Sequence, residues 1–331
     1  MSPLTGGVGD LAVVLGPHRD RSAGRSAGMI VAVGDLATDI VVQLSTATID
    51  PVSDTPALIT RHRGGAAANV ATVSARLGRP ARFVGPVGRD SGGRWLVEQL
   101  GDLGVAALGP LVEVASTIVV LVDPDGARRF LTDPGSPPTS LVADPSLVAG
   151  ASRVHLSGYA VCDPLLGPWA AELGSIARRL GLRVSVDPAS TSTVSGFGIG
   201  RLLALLDDLR PDVVHVNEDE SELLTLGALV DRCGVVVETR GAAPTRVHGR
   251  SGAGAWTREF DVDLTGLAVC DTTGAGDAFT AGFLREWDAG RGLESAVAAG
   301  GTQRRGQWLA GLVRMRGRLP RHELESCGHL C

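Results

Sequence analysis

The stretch Asp271-Thr272-Thr273-Gly274-Ala275-Gly276-Asp277-Ala278-Phe279 joins a turn of small residues, an acid and the start of an apolar helix in one run. Beyond Asp277, Phe279, Phe283, Leu284 and Trp287 recur at helical spacing, which predicts an amphipathic helix opening at Gly274. The first backbone N–H groups of a helix lack intrahelical partners, and the dipole places roughly half a positive charge there, so the turn suits an anion. With no Cβ at Gly274 and Gly276, a transferring phosphoryl group can approach those amides closely. Asp277 sits at the edge of that nest, placed to take a proton from an attacking hydroxyl. The plainer use of such a run is a glycine turn whose acid compensates the helix dipole, and the full nine residues favour the chemical use over it.

The elements that must position this turn follow an α/β pattern from Met29 onward. Met29 to Val33, Arg153 to Leu156, Arg183 to Val186, Asp212 to Val216 and Gly234 to Glu238 read as buried parallel strands. Segments such as Trp169 to Leu180 read as covering helices, and ligands in such open sheets bind beyond the carboxyl ends of the strands. Ile40 to Ser45 with Ala57 to His62, and Ser116 to Val122 with Arg128 to Thr132 across Asp125-Gly126, read as hairpins outside the main sheet.

A chain of 331 residues suffices for one large α/β domain with a small excursion. Hydrophobic residues at 44% with aromatics at only 4% suit a core of Val, Leu and Ala. The net charge of −5 offers no basic surface for nucleic acid. All 31 cationic residues are arginine, which removes every site that needs a lysine: the Walker A loop, the protein-kinase phosphate lysine and the pyridoxal Schiff base. Cys162, Cys233, Cys270, Cys327 and Cys331 have no zinc-ligand spacing and read as buried apolar residues or tail thiols in a reducing cytoplasm. No apolar run approaches the roughly 18 residues of a membrane span. The first 28 residues, rich in Gly, Ser and Arg, read as a disordered or mis-assigned extension with Met29 as the working start.

Four further segments accompany the glycine turn in order: Arg63-Gly64-Gly65-Ala66-Ala67-Ala68-Asn69-Val70-Ala71, Val84-Gly85-Pro86-Val87-Gly88-Arg89-Asp90-Ser91-Gly92, Asn217-Glu218-Asp219-Glu220 and Thr239-Arg240-Gly241. With these the chain resembles the ribokinase family of carbohydrate kinases (PfkB type). The resemblance implies a three-layer α/β sandwich with a central, mostly parallel sheet and a small β lid. Its kinase domain would cover 29–300, with the lid at about 40–62 and 116–132.

The resemblance also implies roles. Asp277 matches the catalytic base, and Gly274, Ala275 and Gly276 the anion hole. Asp39 matches the acid that accepts hydrogen bonds from sugar hydroxyls, with Gly64, Gly65 and Asn69 as further sugar contacts. Asn217 and Glu220 match residues that hold the water shell of Mg²⁺ on the ATP phosphates, although Asn-Glu-Asp-Glu would also serve as a helix cap with first-turn acids. Thr239 and Gly241 would line the ADP portion, and Asp271 with Thr273 resembles half of a potassium site. The implied partners are a sugar and ATP, with a homodimer formed through the lid.

Two departures bear on this reading. Ala66 and Ala37 stand where ribose kinases carry a lysine and an asparagine, which disfavours ribose itself; Arg128, Arg129 or Tyr159 are the candidates to replace those contacts. The helix begun at Leu293 to Ala299 is expected to break at Gly300-Gly301, leaving 301–331 as an atypical segment with six arginines against two glutamates and a partly open adenine pocket. An ATP-dependent sugar kinase is therefore the leading expectation. The alternatives are a nucleoside (adenosine-like) kinase of the same fold and a non-catalytic ligand-binding relative with a damaged C-terminus.

Overall fold

Near-continuous runs of Val, Ile and Leu bounded by Gly, Pro and Asp set the main sheet, because strands flanked on both sides and covered on both faces must be apolar throughout. The computed structural model describes residues 11–14, 27–261 and 274–316. In spatial order the strands are β1 (Leu11–Val14), β7 (Ala106–Val112), β5 (Ala81–Val84), β2 (Met29–Val33), β10 (Ala151–Ser157), β11 (Arg183–Asp187), β12 (Val213–Asn217), β13 (Val235–Arg240), β14 (Ala243–Ser251) and β15 (Gly254–Phe260). The short β6 (Val87–Gly88) lies beside β7. From β7 to β13 every pairing along this order is parallel. The edge strands β1, β14 and β15 are antiparallel.

Helices cover both faces, giving the expected three layers. One face carries α4 (Gly167–Arg179) and α6 (Ile199–Leu209), whose Leu173, Leu202 and Leu206 are buried against Val154, Val184 and Val214. The other carries α1 (Ala66–Arg76), α9 (Ala275–Asp288) and α10 (Gly292–Arg316), with Phe279, Phe283 and Val297 over Ile30, Phe83 and Val213. The remaining helices are α2 (Ser91–Gly101), α3 (Gly158–Val161), α5 (Thr191–Phe197), α7 (Glu218–Leu224) and α8 (Leu226–Val230).

Both expected hairpins form. β3 (Ala37–Leu44) pairs antiparallel with β4 (Ala57–Gly64), and β8 (Ser116–Val122) with β9 (Arg128–Asp133). A parallel pairing of β3 with β8 joins them into one four-stranded lid. The lid leaves Ile59 and Phe130 about three-fifths exposed, at 61% and 60%.

One expectation is corrected. α10 does not break at Gly300-Gly301 but runs from Gly292 to Arg316. The glycines are where α9 and α10 touch: a Cβ on Gly300 would meet the Phe279 ring and carbonyl at 2.9 Å, and one on Gly282 would meet the Ala299 carbonyl at 2.7 Å. The helix cost of glycine, about 1 kcal/mol, is offset by that close approach. Within the first 28 residues, Leu11–Val14 is a strand that pairs with the open backbone edge of β7. Ala27 and Gly28 are likewise fixed, each carbonyl accepting from the buried Arg79 guanidinium.

Candidate active site

The carboxyl ends of β2, β10, β11, β12 and β13 deliver the loops beginning at Gly34, Gly158, Pro188, Glu218 and Gly241 to one rim, where the first turn of α9 also arrives. Gly274 takes the left-handed conformation (φ 72°) at the N-cap of α9. Among the described residues nothing lies within 4 Å of a Cβ built on Gly276, which suits close approach of a ligand to the amides of this turn. Asp277 lies in that turn and accepts a hydrogen bond from Asn69 Nδ2 at 2.8 Å. Burial pushes its carboxyl up to about 8, against the Asn69 hydrogen bond, with the charges of Asp187 and Asp35 adding to the rise and Arg63 opposing it. A carboxylate so raised is a stronger base than a solvated one.

Asp39 extends from β3 beside the paired glycines. Burial, then the Asp35 charge, raise its carboxyl to about 6, with Arg63 opposing. Its Oδ1 is buried without a hydrogen-bond partner, the state expected of an acceptor that waits for a ligand hydroxyl. A Cβ on Gly64 would collide with that carboxylate, and one on Gly65 (φ 98°) with the Asp35 carbonyl, so each glycine sits where a side chain cannot. Gly64, Gly65 and Asn69 are thus brought to the site as expected, and Asn69 additionally meets the base.

Asn217 and Glu220 form a closed capping box at the start of α7. Asn217 N and Nδ2 donate to Glu220 at 2.9 and 2.7 Å, and Glu220 N donates to Asn217 Oδ1 at 2.9 Å. Burial and then the charge of Asp187 push the Glu220 carboxyl up. The register of β12 with β13 sets Asn217 beside Thr239, whose hydroxyl donates to the Val216 carbonyl at 3.4 Å. Gly241 follows with φ 53°, and its carbonyl accepts from Arg304 Nη2 of α10 at 2.6 Å. Asp271 and Thr273 lie outside the described residues.

Three groups at this rim carried no expected role. Asp35 accepts from Ala66 N at 2.9 Å and Ser157 Oγ at 3.0 Å, capping α1 from a different element. Asp187 is half-buried at the end of β11, and burial raises its carboxyl; an acid ending an apolar strand was the signal available for it. Arg63 lies between the two acids, its charge acting on both Asp39 and Asp277. Of the candidate replacement contacts, Tyr159 faces the site, close enough to feel Asp35, Asp187 and Asp277. Arg129 does not: it is held by both oxygens of Asp123 at 2.6 Å on the exposed lid edge. Arg128 pairs with Val122, at the end of β8 far from Ser116 and Ala37. A cavity of about 670 Å³ adjoins this rim at Tyr159 and runs outward past Thr193 and Arg201; none of Asp35, Asp39, Asp187 and Asp277 lines it.

A glycine-opened helix presenting a half-buried acid, at the carboxyl end of a parallel sheet under a β lid, defines a small-molecule phosphotransferase of the ribokinase-like class. A family model described as pfkB family carbohydrate kinase matches residues 27–313, so the chain belongs to that family, whose members are phosphotransferases. Relatives include the ATP-dependent ribose-1-phosphate kinase of Halopiger xanaduensis, 32% identical over 82% of this chain and 90% of its own length. Fructokinase-1 of Oryza sativa is 30% identical over 80% of this chain and 84% of its own. The bifunctional protein HldE of Stutzerimonas stutzeri is 31% identical over 81% of this chain, which spans 58% of that protein's length. Among solved structures, the adenosine kinase from Sinorhizobium meliloti superposes with a TM-score of 0.70 at 23% identity, covering 84% of this chain and 93% of its own, a likeness of fold.

Proposed function

We propose that the chain is an ATP-dependent kinase that transfers the γ-phosphoryl group to a hydroxyl of a sugar or sugar derivative. The observation that carries this is Asp277, a half-buried, proton-avid carboxylate within hydrogen-bond distance of Asn69, in the first turn of a helix that opens with Gly274 and Gly276. Asp39 accepts a hydrogen bond from the acceptor through its unpartnered Oδ1 and orients it. The acceptor oxygen attacks the γ-phosphorus, its proton passes to Asp277, and the bond to the β,γ-bridging oxygen breaks with its electron pair leaving on ADP. The amides of Gly274, Ala275 and Gly276 face the charge that develops on the transferring group. Lid closure over the acceptor keeps water from competing with it.

Asn217, Glu220 and the neighbouring Asp187 are the described residues suited to hold magnesium through its water shell, where it would neutralise phosphate charge. Thr239 and Gly241 line the ADP portion in this reading. The potassium site at Asp271 and Thr273 remains an expectation of the family resemblance. Exposed Ile59 and Phe130 on the lid favour a homodimer formed there. No described helix is long and apolar enough to cross a membrane, and a cytoplasmic location is part of the proposal.

A second reading, a nucleoside kinase, draws on Tyr159, which brings an aromatic ring to the rim where a base could stack. The non-catalytic reading loses its main ground with the continuous α10. The test is ADP release with Mg-ATP and potassium across pentoses, hexoses, sugar phosphates, ketosugar acids and nucleosides. Acceptor-dependent release from a sugar supports the first reading and from a nucleoside the second. Nucleotide binding without turnover on any acceptor would overturn both.

A further inference from the structure

Arg63 is the last residue before the paired glycines, and β4 lays it against α1. Its Nη2 donates to Thr72 Oγ1 at 2.9 Å. The Thr72 hydroxyl lies within hydrogen-bond reach of the carbonyls of Ala68 and Asn69, at 2.9 and 3.1 Å. Asn69 in turn donates to Asp277. Guanidinium, the turn of α1 that bears Asn69, and the carboxylate therefore form one connected run from β4 to α9.

Arg63 Nη1 is buried and makes no hydrogen bond, an arrangement costly to keep unless the charge itself is used. Among the described residues, the groups acting on Asp277 come from five elements: Asp187 at the end of β11, Asp35 after β2, Tyr159 on α3, the neutral Asn69 on α1, and Arg63 on β4. Arg63 is the cation among them. Arg76, further along α1, acts on Arg63 in the opposite sense to Asp277 and Asp39.

We propose that Arg63 is a positioning residue for phosphoryl transfer: through Thr72 it fixes the turn that presents Asn69, and its charge keeps Asp277 available as a carboxylate. This rests on Asp277 being the base of the proposed function. The tethered geometry matters as much as the charge. A cation free to swing toward solvent would be screened, whereas one pinned under the lid strand acts through protein.

The test uses the full chain with Arg63→Met, Arg63→Lys and Thr72→Val, and two readouts. The first is a thermal cycle of wild type, Arg63→Met, Asp277→Asn and the double variant at pH 6 and pH 9. The loss of Tm caused by Arg63→Met should be larger at pH 9, where Asp277 is ionised, and in the Asp277→Asn background that pH difference should shrink to the part carried by Asp39, which Arg63 also faces. An equal loss at both pH values in both backgrounds would make Arg63 a packing residue and overturn the proposal. No acceptor is needed, so this result is independent of whether any sugar or nucleoside turns over.

The second readout is the pH profile of kcat/KM on whichever panel acceptor is phosphorylated. Arg63→Met should move the acid limb upward by about one pH unit, Arg63→Lys should return it toward wild type, and Thr72→Val should lie between. A uniform loss across pH with the limb unmoved would also overturn it. Thr72→Val is close to isosteric, so the question stays decidable should Arg63→Met fail to fold. An inert wild type would refute the kinase reading, while the thermal cycle would still decide whether Arg63 and Asp277 are coupled.

Discussion

Asn69 Nδ2 donates to Asp277 Oδ2 at 2.8 Å, joining the helix that follows the paired glycines to the helix that presents the base. This single contact makes the two glycine motifs one site. A hydrogen bond to a charged group is worth about 1.5–3 kcal/mol. Replacing Asn69 with Ala should therefore lower turnover at neutral pH by about tenfold to a hundredfold. Because the bond favours the ionised carboxyl, the acid limb of the rate profile should also rise. Steady-state rates of Asn69→Ala from pH 6 to pH 9 would test both parts. An unmoved limb would mean that Asn69 acts only on the acceptor.

Asp277 sets a pH dependence with a definite sign. The base must be ionised, and its carboxyl is raised to about 8, so kcat/KM should fall as pH drops through about 8. Stability runs the other way. The folded form holds a proton that the unfolded chain releases near 3.8, so this group's contribution is full below about 4 and is lost as pH rises towards about 8. Asp277→Asn should abolish most turnover, by a factor on the order of 10²–10⁴, and flatten that decline. Thermal scans of both proteins between pH 5 and pH 9 would show parallel curves if Asp277 were not raised.

The five central strands β2 and β10 to β13, both lid hairpins and the helix after Gly274 were legible because each has a strong local pattern bounded by turn residues. Gly64, Asn69 and Asp277 stood out for another reason: they lie in short runs whose order carries the resemblance, and Asp39 was assigned only once those runs had named the family. Asp35 and Asp187 were not legible: Asp35 is an isolated acid whose partner Ser157 arrives from another strand, and the only local sign at Asp187 is a turn in which it accepts from Ala189 N two residues on. The continuity of α10 was misread from Gly300-Gly301. Glycine is a breaker by propensity, and only the packed Phe279 ring shows why it is kept. The β14–β15 hairpin went unread because His248 and Arg250 interrupt its apolar pattern, and His248 is satisfied by Glu238 and Thr257, which the sequence keeps apart.

Gly64→Ala tests the acceptor site without touching the base. The added methyl would overlap the Asp39 carboxylate, which must turn away or the β3–β4 pairing must open. Displaced Asp39 loses its place for an acceptor hydroxyl, so the KM for the acceptor should rise at least tenfold while the KM for ATP stays within about twofold. Equal rises in both would point to a distorted lid and remove the special role of Asp39.

At the opposite end of α9 from the base, Asp288 is enclosed by three arginines. Arg153 binds it at 2.6 Å through Nη2 and Arg79 at 2.6 Å, with Arg183 at 3.0 Å. The carboxylate is 0% exposed, as is the Arg153 side chain. Burial alone would raise this acid, but the hydrogen bond and charge of Arg153, then Arg79 and Arg183, hold it below the usual carboxylate range. Asp288→Asn keeps the shape and removes the charge, leaving buried guanidinium groups uncompensated. Breaking such a buried set costs about 3–5 kcal/mol, so a large fall in Tm is expected at pH 7. The contribution of a lowered acid is present above its unfolded value and is lost as pH falls through the lower folded value, so wild type and variant should converge only in strong acid. Because Asp288 and Asp277 share one helix, residual activity at low temperature should show reduced turnover with nucleotide affinity retained. A variant as stable as wild type would mean that the arginines find other partners and that α9 is held by its apolar face alone.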